Sequence, residues 1–240
     1  MRAAGRLAAR ALTFIAPYIK PGITTAELDR LCESFIRDHG AIPAPLGYKG
    51  YPKATCISLN HVVCHGIPDE KKLRDGDILN IDITVILEGW YGDTSKMFTV
   101  GDKVSIKAKR LIEATERALM IGIEQVKPGH HVGDIGHAIE TFIATQNFSV
   151  VHDFCGHGLG RVFHGPPNIP HFGKPGTGPM FEPGMFFTIE PMVNAGKPGV
   201  KVLHDGWTAV TKDHSLSAQC EHSVGVSEDG VEIFTLDPPA

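Results

Sequence analysis

An internal repeat is the feature that most constrains how this chain can fold. Residues 10–36, RALTFIAPYIKPGITTAELDRLCESFI, align with residues 117–143, RALMIGIEQVKPGHHVGDIGHAIETFI, at a constant offset of 107 residues, and both copies carry Lys-Pro-Gly at their centre. In each copy the apolar periodicity predicts a helix that ends at Pro-Gly and a second helix after it. Thr24 and Glu27 form a capping-box pattern for the second helix of the first copy. We therefore interpret the basic, alanine-rich start of the chain as a folded helix rather than a targeting segment.

A weaker repeat follows in the predicted strands. GDILNIDITV, at 76–85, aligns with GMFFTIEPMV, at 184–193, with an offset of 108 residues that places Asp82 opposite Glu190. Two such halves, related by a pseudo-twofold axis, predict an α+β fold with a curved, mostly antiparallel sheet, helices on its outer face and a site at the junction. We expect a single domain over residues 1–240, with halves of roughly 1–100 and 101–240.

Acidic residues lie among the apolar residues of these strands. Because side chains alternate between the two faces of a strand, Asp82, Glu190 and Glu221 all project away from the apolar side chains beside them. Asp93 lies in the return strand of the first hairpin and could face Asp82. We expect a bulged turn at Glu88-Gly89 in this hairpin.

The four acids together predict a metal site. Converging carboxylates without partners would repel one another and raise their own pKa values, and divalent cations would relieve this repulsion. Carboxylate oxygens with few nitrogens suit Mn, Fe(II) or Co better than a thiolate-type zinc site. Several carboxylates and a histidine indicate two metals bridged at about 3.5–4 Å. Segment 153–172 offers His157, His164 and His171 as nitrogen ligands, and the residues alone leave open which of them is more than a hydrogen-bonded loop residue.

Composition argues against several other classes of function. The net charge of −4 gives no basic field for nucleic acid. The five cysteines include no Cys-x-x-Cys pair, which argues against a disulfide framework and indicates a reducing compartment, so we expect a cytoplasmic location. The sequence has no signal-peptide pattern and no apolar run that could span a bilayer, so we expect no membrane partner.

Seven motifs, in order along the chain, carry a family resemblance: CISLNHVVCHGIP, NIDITV, GDTSKMF, CGHGLGR, FTIEPMVN, DGWT and SLSAQCEHSV. With them the chain resembles the type I methionine aminopeptidases, metallopeptidases of the pita-bread fold, over nearly its whole length. The resemblance implies an enzyme that removes the N-terminal methionine from new proteins and prefers a small second residue. It assigns five metal ligands, which are Asp82, Asp93, His157, Glu190 and Glu221.

The resemblance also assigns residues to the substrate. His65 and His164 would face the scissile peptide bond, and Glu190 would be the third catalytic residue. The methionine side chain would lie among Tyr48, Tyr51, Cys56, Phe163 and Trp207. A monovalent cation, Na or K, would bind at Asn60, Val62 and Ser217. Nine further histidines, among them His171, are expected to be surface or structural residues.

Further expectations concern cofactors and partners. The resemblance implies two divalent metal ions (Co, Mn, Fe(II) or Zn), N-terminal Met peptides and nascent chains as substrates, contact with the ribosome, and a monomer. Pro45 stands where many bacterial members carry a cysteine on the pocket rim, and the loop after His164 reads GPPNIPHF where some members have an acidic sequence. Family members usually have a longer segment before the first helix, so we expect a trimmed N terminus.

Two other functions are compatible with the same fold. The first is an aminopeptidase that cleaves before proline, although such enzymes usually carry an additional N-terminal domain. The second is a catalytically inactive binding protein, although such relatives typically lose metal ligands, and all five ligand positions are occupied here by suitable residue types. Metal analysis and peptidase assays would distinguish the three functions.

Overall fold

The computed structural model of this chain describes residues 1–237. Its helices are α1 (Arg2–Ile15), α2 (Thr25–Asp38), α3 (Ile106–Ile123) and α4 (Val132–Thr145), with 3₁₀ turns at Ala16–Tyr18 and Tyr48–Gly50. Its strands are β1 (Ile42–Pro43), β2 (Cys56–Leu59), β3 (Val62–Cys64), β4 (Ile78–Leu87), β5 (Trp90–Thr99), β6 (Ser149–Val150), β7 (Gly156–Gly158), β8 (Gly165–Ile169), β9 (Phe186–Ile189), β10 (Met192–Asn194), β11 (Val200–Val202), β12 (Ala209–Thr211), β13 (Ser217–Gln219), β14 (His222–Val226) and β15 (Val231–Ile233).

The helix pairs follow the sequence repeat. Helices α1 and α2 come from the first copy and α3 and α4 from the second, as predicted. Thr24 caps α2, since its Oγ1 accepts a hydrogen bond from the backbone N–H of Glu27 at 3.1 Å. The glycine of the repeated Lys-Pro-Gly has a backbone role in both copies, because Gly22 and Gly129 adopt φ values of 97° and 85°, a region that glycine enters without steric cost.

The first helix of each copy ends earlier than the sequence predicts. Helix α1 ends at Ile15 and α3 ends at Ile123, several residues before Pro-Gly. In the first copy the cause is Pro17, which lies in the 3₁₀ turn and has no N–H to continue the α-helical hydrogen bonds.

Every strand ladder within residues 1–237 is antiparallel. In the first half, β4 lies between β1 and β2 and also pairs with β5, and in the second half the order is β15-β14-β9-β7-β8. Smaller ladders run β13-β10-β6 and β11-β12-β3. An isolated bridge between Ser95 and Glu221 joins β5 to the chain between β13 and β14, so the two halves meet at this bridge.

The β4–β5 hairpin is regular, so the expected bulge is wrong. Leu87 pairs with Trp90, and the two turn residues Glu88 and Gly89 both have positive φ, at 51° and 78°. This is the backbone of a two-residue type I′ turn, whose twist matches that of the flanking strands without an inserted residue.

The register of this hairpin brings the two aspartates to one face. Thr84 pairs with Asp93, and Asp82 pairs with Ser95. Directly paired residues share a face, as do residues two apart on one strand, so Asp82 and Asp93 are diagonal neighbours.

Apolar side chains on the opposite faces pack against the helices. Leu79, Ile81 and Ile83 of β4 are fully buried in a cluster with α1 and α2, and Phe187 and Ile189 of β9 are buried with α3 and α4. The polar faces of both halves are thereby turned toward each other. Among the described residues no helix has the length and apolar character needed to cross a bilayer.

One close contact fixes α1 on the hairpin. A Cβ atom on Gly92 would lie 2.3 Å from the carbonyl carbon of Ala4 and 2.4 Å from its oxygen. Only glycine therefore allows the backbone of α1 to approach β5 so closely, directly beside Asp93.

Candidate active site

The polar strand faces enclose a cavity of about 380 Å³. Its floor contains the four acids and His157, and its walls and rim contain His65, His164 and a set of aromatic residues. Asp82 is supplied by β4, Asp93 by β5 and His157 by β7, while Glu190 follows β9 and Glu221 precedes β14. The structure thus brings together all twelve residues that were expected to contact a divalent metal or the substrate: Tyr48, Tyr51, Cys56, His65, Asp82, Asp93, His157, Phe163, His164, Glu190, Trp207 and Glu221.

The floor residues are close enough to one another to bind the same metal ion. His157 Nε2 lies 3.6 Å from Asp93 Oδ2 and 3.6 Å from Glu190 Oε1. Asp93, His157 and Glu221 each offer a ligand atom, and these atoms lie within 4.8 Å of one another. Oδ1 of Asp82 is buried and has no hydrogen-bond partner. This unpartnered oxygen marks a position where a polar group or an ion would be stabilised.

Burial and mutual repulsion make the acids hard to ionise. The pKa of Asp93 is raised to about 7 by burial, and the pKa of Glu190 is raised to about 8 by burial and then by the charge of Asp93. The pKa values of Asp82 and Glu221 are raised well above the usual range by burial and then by neighbouring carboxylates. Within residues 1–237 no lysine or arginine forms a salt bridge with these acids, and His157 is the basic group beside them.

The donor set fits divalent cations. Burial lowers the pKa of His157 to about 4, so the ring is neutral near pH 7 and has a nitrogen lone pair available. Four carboxylates and one imidazole are ligands for hard or borderline divalent ions. A cation would supply the positive charge that the cluster lacks, and it would remove the cause of the raised pKa values of the acids.

Polar neighbours that the sequence analysis did not assign orient two of the acids. Thr84 Oγ1 donates to Asp93 Oδ1 at 2.7 Å, and Thr188 Oγ1 donates to Glu190 Oε1 at 2.7 Å. Gln219 Nε2 donates to Glu190 Oε2 at 3.2 Å. Thr188 could have been found from the sequence, because it lies two residues from Glu190 on the same strand face, whereas the contact of Thr84 with Asp93 depends on the pairing of β4 with β5.

The two wall histidines have different features: His164 contacts a tyrosine hydroxyl group, and His65 has an uncommon backbone conformation. His164 Nδ1 lies 3.0 Å from the hydroxyl oxygen of Tyr48, and the rings of His164 and His157 are 4.2 Å apart. Burial, followed by the charges of the other two histidines, lowers the pKa of His164 to about 3. His65 has a φ of 55°, which is uncommon for a residue other than glycine and is frequent at functional sites.

Aromatic rings form the remaining walls. Phe163 lies 4.8 Å from Tyr48 between ring centroids, and Tyr51 meets Trp207 edge-on at 5.1 Å. The hydroxyl group of Tyr51 donates to backbone carbonyls, including that of Gly66 at 2.9 Å, so its ring presents only apolar surface to the cavity. Cys56 pairs with Asp82 across β2 and β4. Further residues that the sequence analysis did not assign to the substrate pocket also line it: Cys64, Phe154, Cys155 and Met192.

The expected monovalent-cation residues lie outside the cavity. The backbone N–H of Ser217 donates to the carbonyl oxygen of Asn60 at 2.9 Å, so these two residues are in contact. Val62 is two residues further along the chain and pairs with Val210. The side chain of Ser217 donates to Asn194 Oδ1 at 2.8 Å.

Known proteins are similar to this chain over nearly its whole length. Residues 1–228 match metallopeptidase family M24. The chain is 59% identical to a methionine aminopeptidase of Rickettsia prowazekii over 239 residues, which is 99% of this chain and 92% of the relative. It is 54% identical to the methionine aminopeptidase of Escherichia coli K12 over 238 residues, covering 98% of this chain and 90% of the relative. It superposes on the crystal structure of the Rickettsia prowazekii enzyme with a TM-score of 0.97, covering 98% of this chain and 95% of that one. The predicted pita-bread fold is confirmed, and the chain belongs to metallopeptidase family M24.

Proposed function

We propose that this chain is a methionyl aminopeptidase, which hydrolyses the peptide bond after an N-terminal methionine. The observation that carries the proposal is the position of the floor cluster. Four carboxylates and a neutral histidine lie at the base of a cavity whose walls are aromatic and apolar. The relatives that are 54–59% identical to this chain are methionine aminopeptidases, which favours this substrate over the other functions of the fold.

The floor residues Asp82, Asp93, His157, Glu190 and Glu221 would hold two divalent ions. Bound metal would lower the pKa of water, which would supply a hydroxide nucleophile at neutral pH, and it would polarise the scissile carbonyl. The oxygen-rich ligand set favours Mn, Fe(II) or Co, with Zn as a further candidate.

Glu190 is the residue we propose for proton transfer. Its carboxylate oxygens accept hydrogen bonds from Thr188 and Gln219, so the group has a fixed orientation at the cavity floor. A carboxylate in this place can take a proton from the attacking water and return it to the leaving amine.

His164 and His65 would bind the reacting peptide bond. When the hydroxyl group of Tyr48 donates to His164 Nδ1, the proton of the neutral ring resides on Nε2. That N–H would donate to the oxygen of the tetrahedral intermediate. His65, whose pKa is lowered by burial, would donate to the scissile amide or its leaving nitrogen.

The wall residues would select methionine. A flexible thioether chain gains from contact with aromatic faces, and Tyr48, Tyr51, Phe163 and Trp207 provide them beside the Cys56 thiol. A small second residue would be preferred, because its side chain must fit beside the two wall histidines.

Further parts of the proposal concern the setting of the enzyme. We propose that residues 1–240 act as one catalytic domain and as a monomer in the cytoplasm, on nascent chains near the ribosome. Asn60, Val62 and Ser217 are proposed to bind a monovalent cation through oxygen atoms.

Peptide hydrolysis by metal-stripped protein tests the proposal directly. Addition of Mn, Fe(II), Co or Zn should restore cleavage of Met-Ala-Ser, and Asp93→Asn should abolish it. Asp38→Asn is the matched control, since it makes the same change at an exposed acid at the end of α2. Full activity of Asp93→Asn or His164→Ala would contradict the assignment.

The same assay separates the alternatives. Cleavage of peptides with proline at position two, in preference to Met-Ala-Ser, would indicate the proline-directed function. Absence of both metal binding and hydrolysis would indicate an inactive binding protein.

A further inference from the structure

His171 is a buried histidine outside the cavity wall that contacts the backbone of a floor residue. Its side chain has no solvent exposure, and its Nε2 accepts a hydrogen bond from the backbone N–H of Glu190 at 3.0 Å. Because Nε2 accepts, the ring is neutral and its proton is on Nδ1. That Nδ1 is buried and has no partner among the described residues. Among the described residues, Glu190 is thus the hydrogen-bond partner of this ring.

The contact occurs where strand pairing ends. The ladder between β9 and β14 ends with Ile189 opposite His222, so the N–H of Glu190 is the first beyond the ladder. Pro191 follows Glu190, has no N–H of its own, and restricts the residue before it to extended conformations. The backbone of Glu190 therefore depends on a side chain, rather than on a neighbouring strand, for its hydrogen bond.

The same segment also supports the histidine of the floor. In the ladder between β7 and β8, His157 pairs with Asn168 and Gly156 pairs with Ile169, two residues before His171. The segment that leads from His164 to His171 therefore pairs with the strand of one floor residue and ends in a hydrogen bond to another.

We propose that His171 is a positioning residue that fixes the backbone conformation of Glu190 and thereby orients its carboxylate toward the metal site. Thr188 and Gln219 hold the carboxylate end of Glu190, and His171 holds the main-chain end. This inference rests on the proposed role of Glu190 as a metal ligand. Loss of a group that orients a ligand typically lowers metal affinity by about 10–100-fold.

Calorimetric titration of metal-stripped protein with Mn²⁺ alone tests the inference without using activity. His171→Phe keeps a ring but removes the acceptor, and Mn²⁺ affinity should fall by at least about tenfold. His171→Gln returns an acceptor at the position of Nε2 and should restore affinity to within about threefold of the unmodified protein. His171→Asn, whose amide reaches only the position of Nδ1, should behave like His171→Phe and replaces it if that variant does not fold.

A matched control separates positioning from general loss of stability. Ile169→Val removes one buried methylene from the same segment, which lowers stability modestly, and leaves the hydrogen bond intact. Its Mn²⁺ affinity should equal that of the unmodified protein. In turnover of Met-Ala-Ser, His171→Phe at saturating Mn²⁺ should lower kcat with little change in KM, because the methionine pocket is untouched.

Three results would overturn the inference. The first is an unchanged Mn²⁺ affinity in folded His171→Phe or His171→Asn. The second is a loss of Mn²⁺ affinity in His171→Gln as large as that in the variants without the acceptor. The third is a loss of Mn²⁺ affinity in Ile169→Val as large as that in His171→Phe. Absence of Mn²⁺ binding by the unmodified protein would instead overturn the proposed metal site, and this inference with it.

Discussion

Metal-stripped protein should lose stability as the pH rises from about 6.5 to about 8. The pKa of folded Asp93 is about 7 and that of folded Glu190 is about 8, whereas unfolded aspartate and glutamate titrate near pH 4. The folded chain therefore binds more protons than the unfolded chain in this range. Since the free energy of unfolding changes with pH in proportion to that difference, it falls as these protons are lost.

The structure gives the size of the effect. Between about pH 6.5 and about 8, loss of the protons on Asp93 and Glu190 lowers the free energy of unfolding by about 2 kcal/mol, and the larger part comes from Glu190, whose pKa is the higher. Asp82 and Glu221, whose pKa values are also raised, change stability in the same direction. For a chain of this length a loss of 2 kcal/mol corresponds to a fall in Tm on the order of 4–8 °C.

Four histidines with lowered pKa values set the lower limit of this window. The pKa values of His157 and His222 are lowered to about 4, and those of His164 and His171 to about 3, in each case mainly by burial. Because unfolded histidine titrates near pH 6.5, these groups make stability rise with pH below that value and have little effect above it. Unfolded cysteine thiols titrate near pH 8.5, so the window ends below that pH, before their titration affects stability.

Differential scanning calorimetry at fixed ionic strength would measure the effect. Protein treated with a chelator should show the fall in Tm, and Glu190→Gln should reduce it without abolishing it, because Asp93, Asp82 and Glu221 remain. Protein saturated with Mn²⁺ should show no fall, because metal binding requires the deprotonated acids. A constant or rising Tm in the stripped protein over this range would show that the acids do not hold protons near neutral pH, which would refute the reasoning.

Three further substitutions test separate parts of the structure. Tyr48→Phe removes the hydroxyl group that fixes the His164 tautomer, and kcat should fall about tenfold with a smaller change in KM; an unchanged kcat would contradict this. Trp207→Ala opens the methionine pocket and should raise KM more than it lowers kcat, whereas an unchanged KM would place the thioether elsewhere. Gly92→Ala forces a Cβ into the backbone of Ala4 and should cost about 1–3 kcal/mol in thermal or denaturant unfolding, and a wild-type Tm would contradict the close contact.

Much of the fold could be predicted because both halves repeat the same pattern. Gly22 and Gly129 both adopt positive φ, which other residues rarely do, so Lys-Pro-Gly is recognisable at the same place in each copy. Strand alternation then gave the orientation of Asp82 and Glu190 without any knowledge of which strands pair. The turn at Glu88-Gly89 was mispredicted, because glutamate is an unusual residue at the first positive-φ position of a type I′ turn.

The supports of the site could be predicted only in part. Thr188 lies near Glu190 in sequence, on the same strand face, so its contact follows from alternation. Gln219 and His171 reach Glu190 across 29 and 19 residues, respectively, and no local pattern encodes such contacts. His171, which was expected to be a surface or structural residue, is buried against the backbone of Glu190.

The bridge between Ser95 and Glu221 has a consequence for assembly. The first half contributes Asp82 and Asp93 to the cavity floor, and the second contributes His157, Glu190 and Glu221, so neither half alone carries the full set. Two separate half-length chains could form the same floor only by association, and the fraction assembled would depend on their concentration. Covalent linkage replaces that dependence with a fixed effective concentration. A dilute solution of the single chain should therefore keep its floor complete at concentrations where a mixture of the two fragments would dissociate.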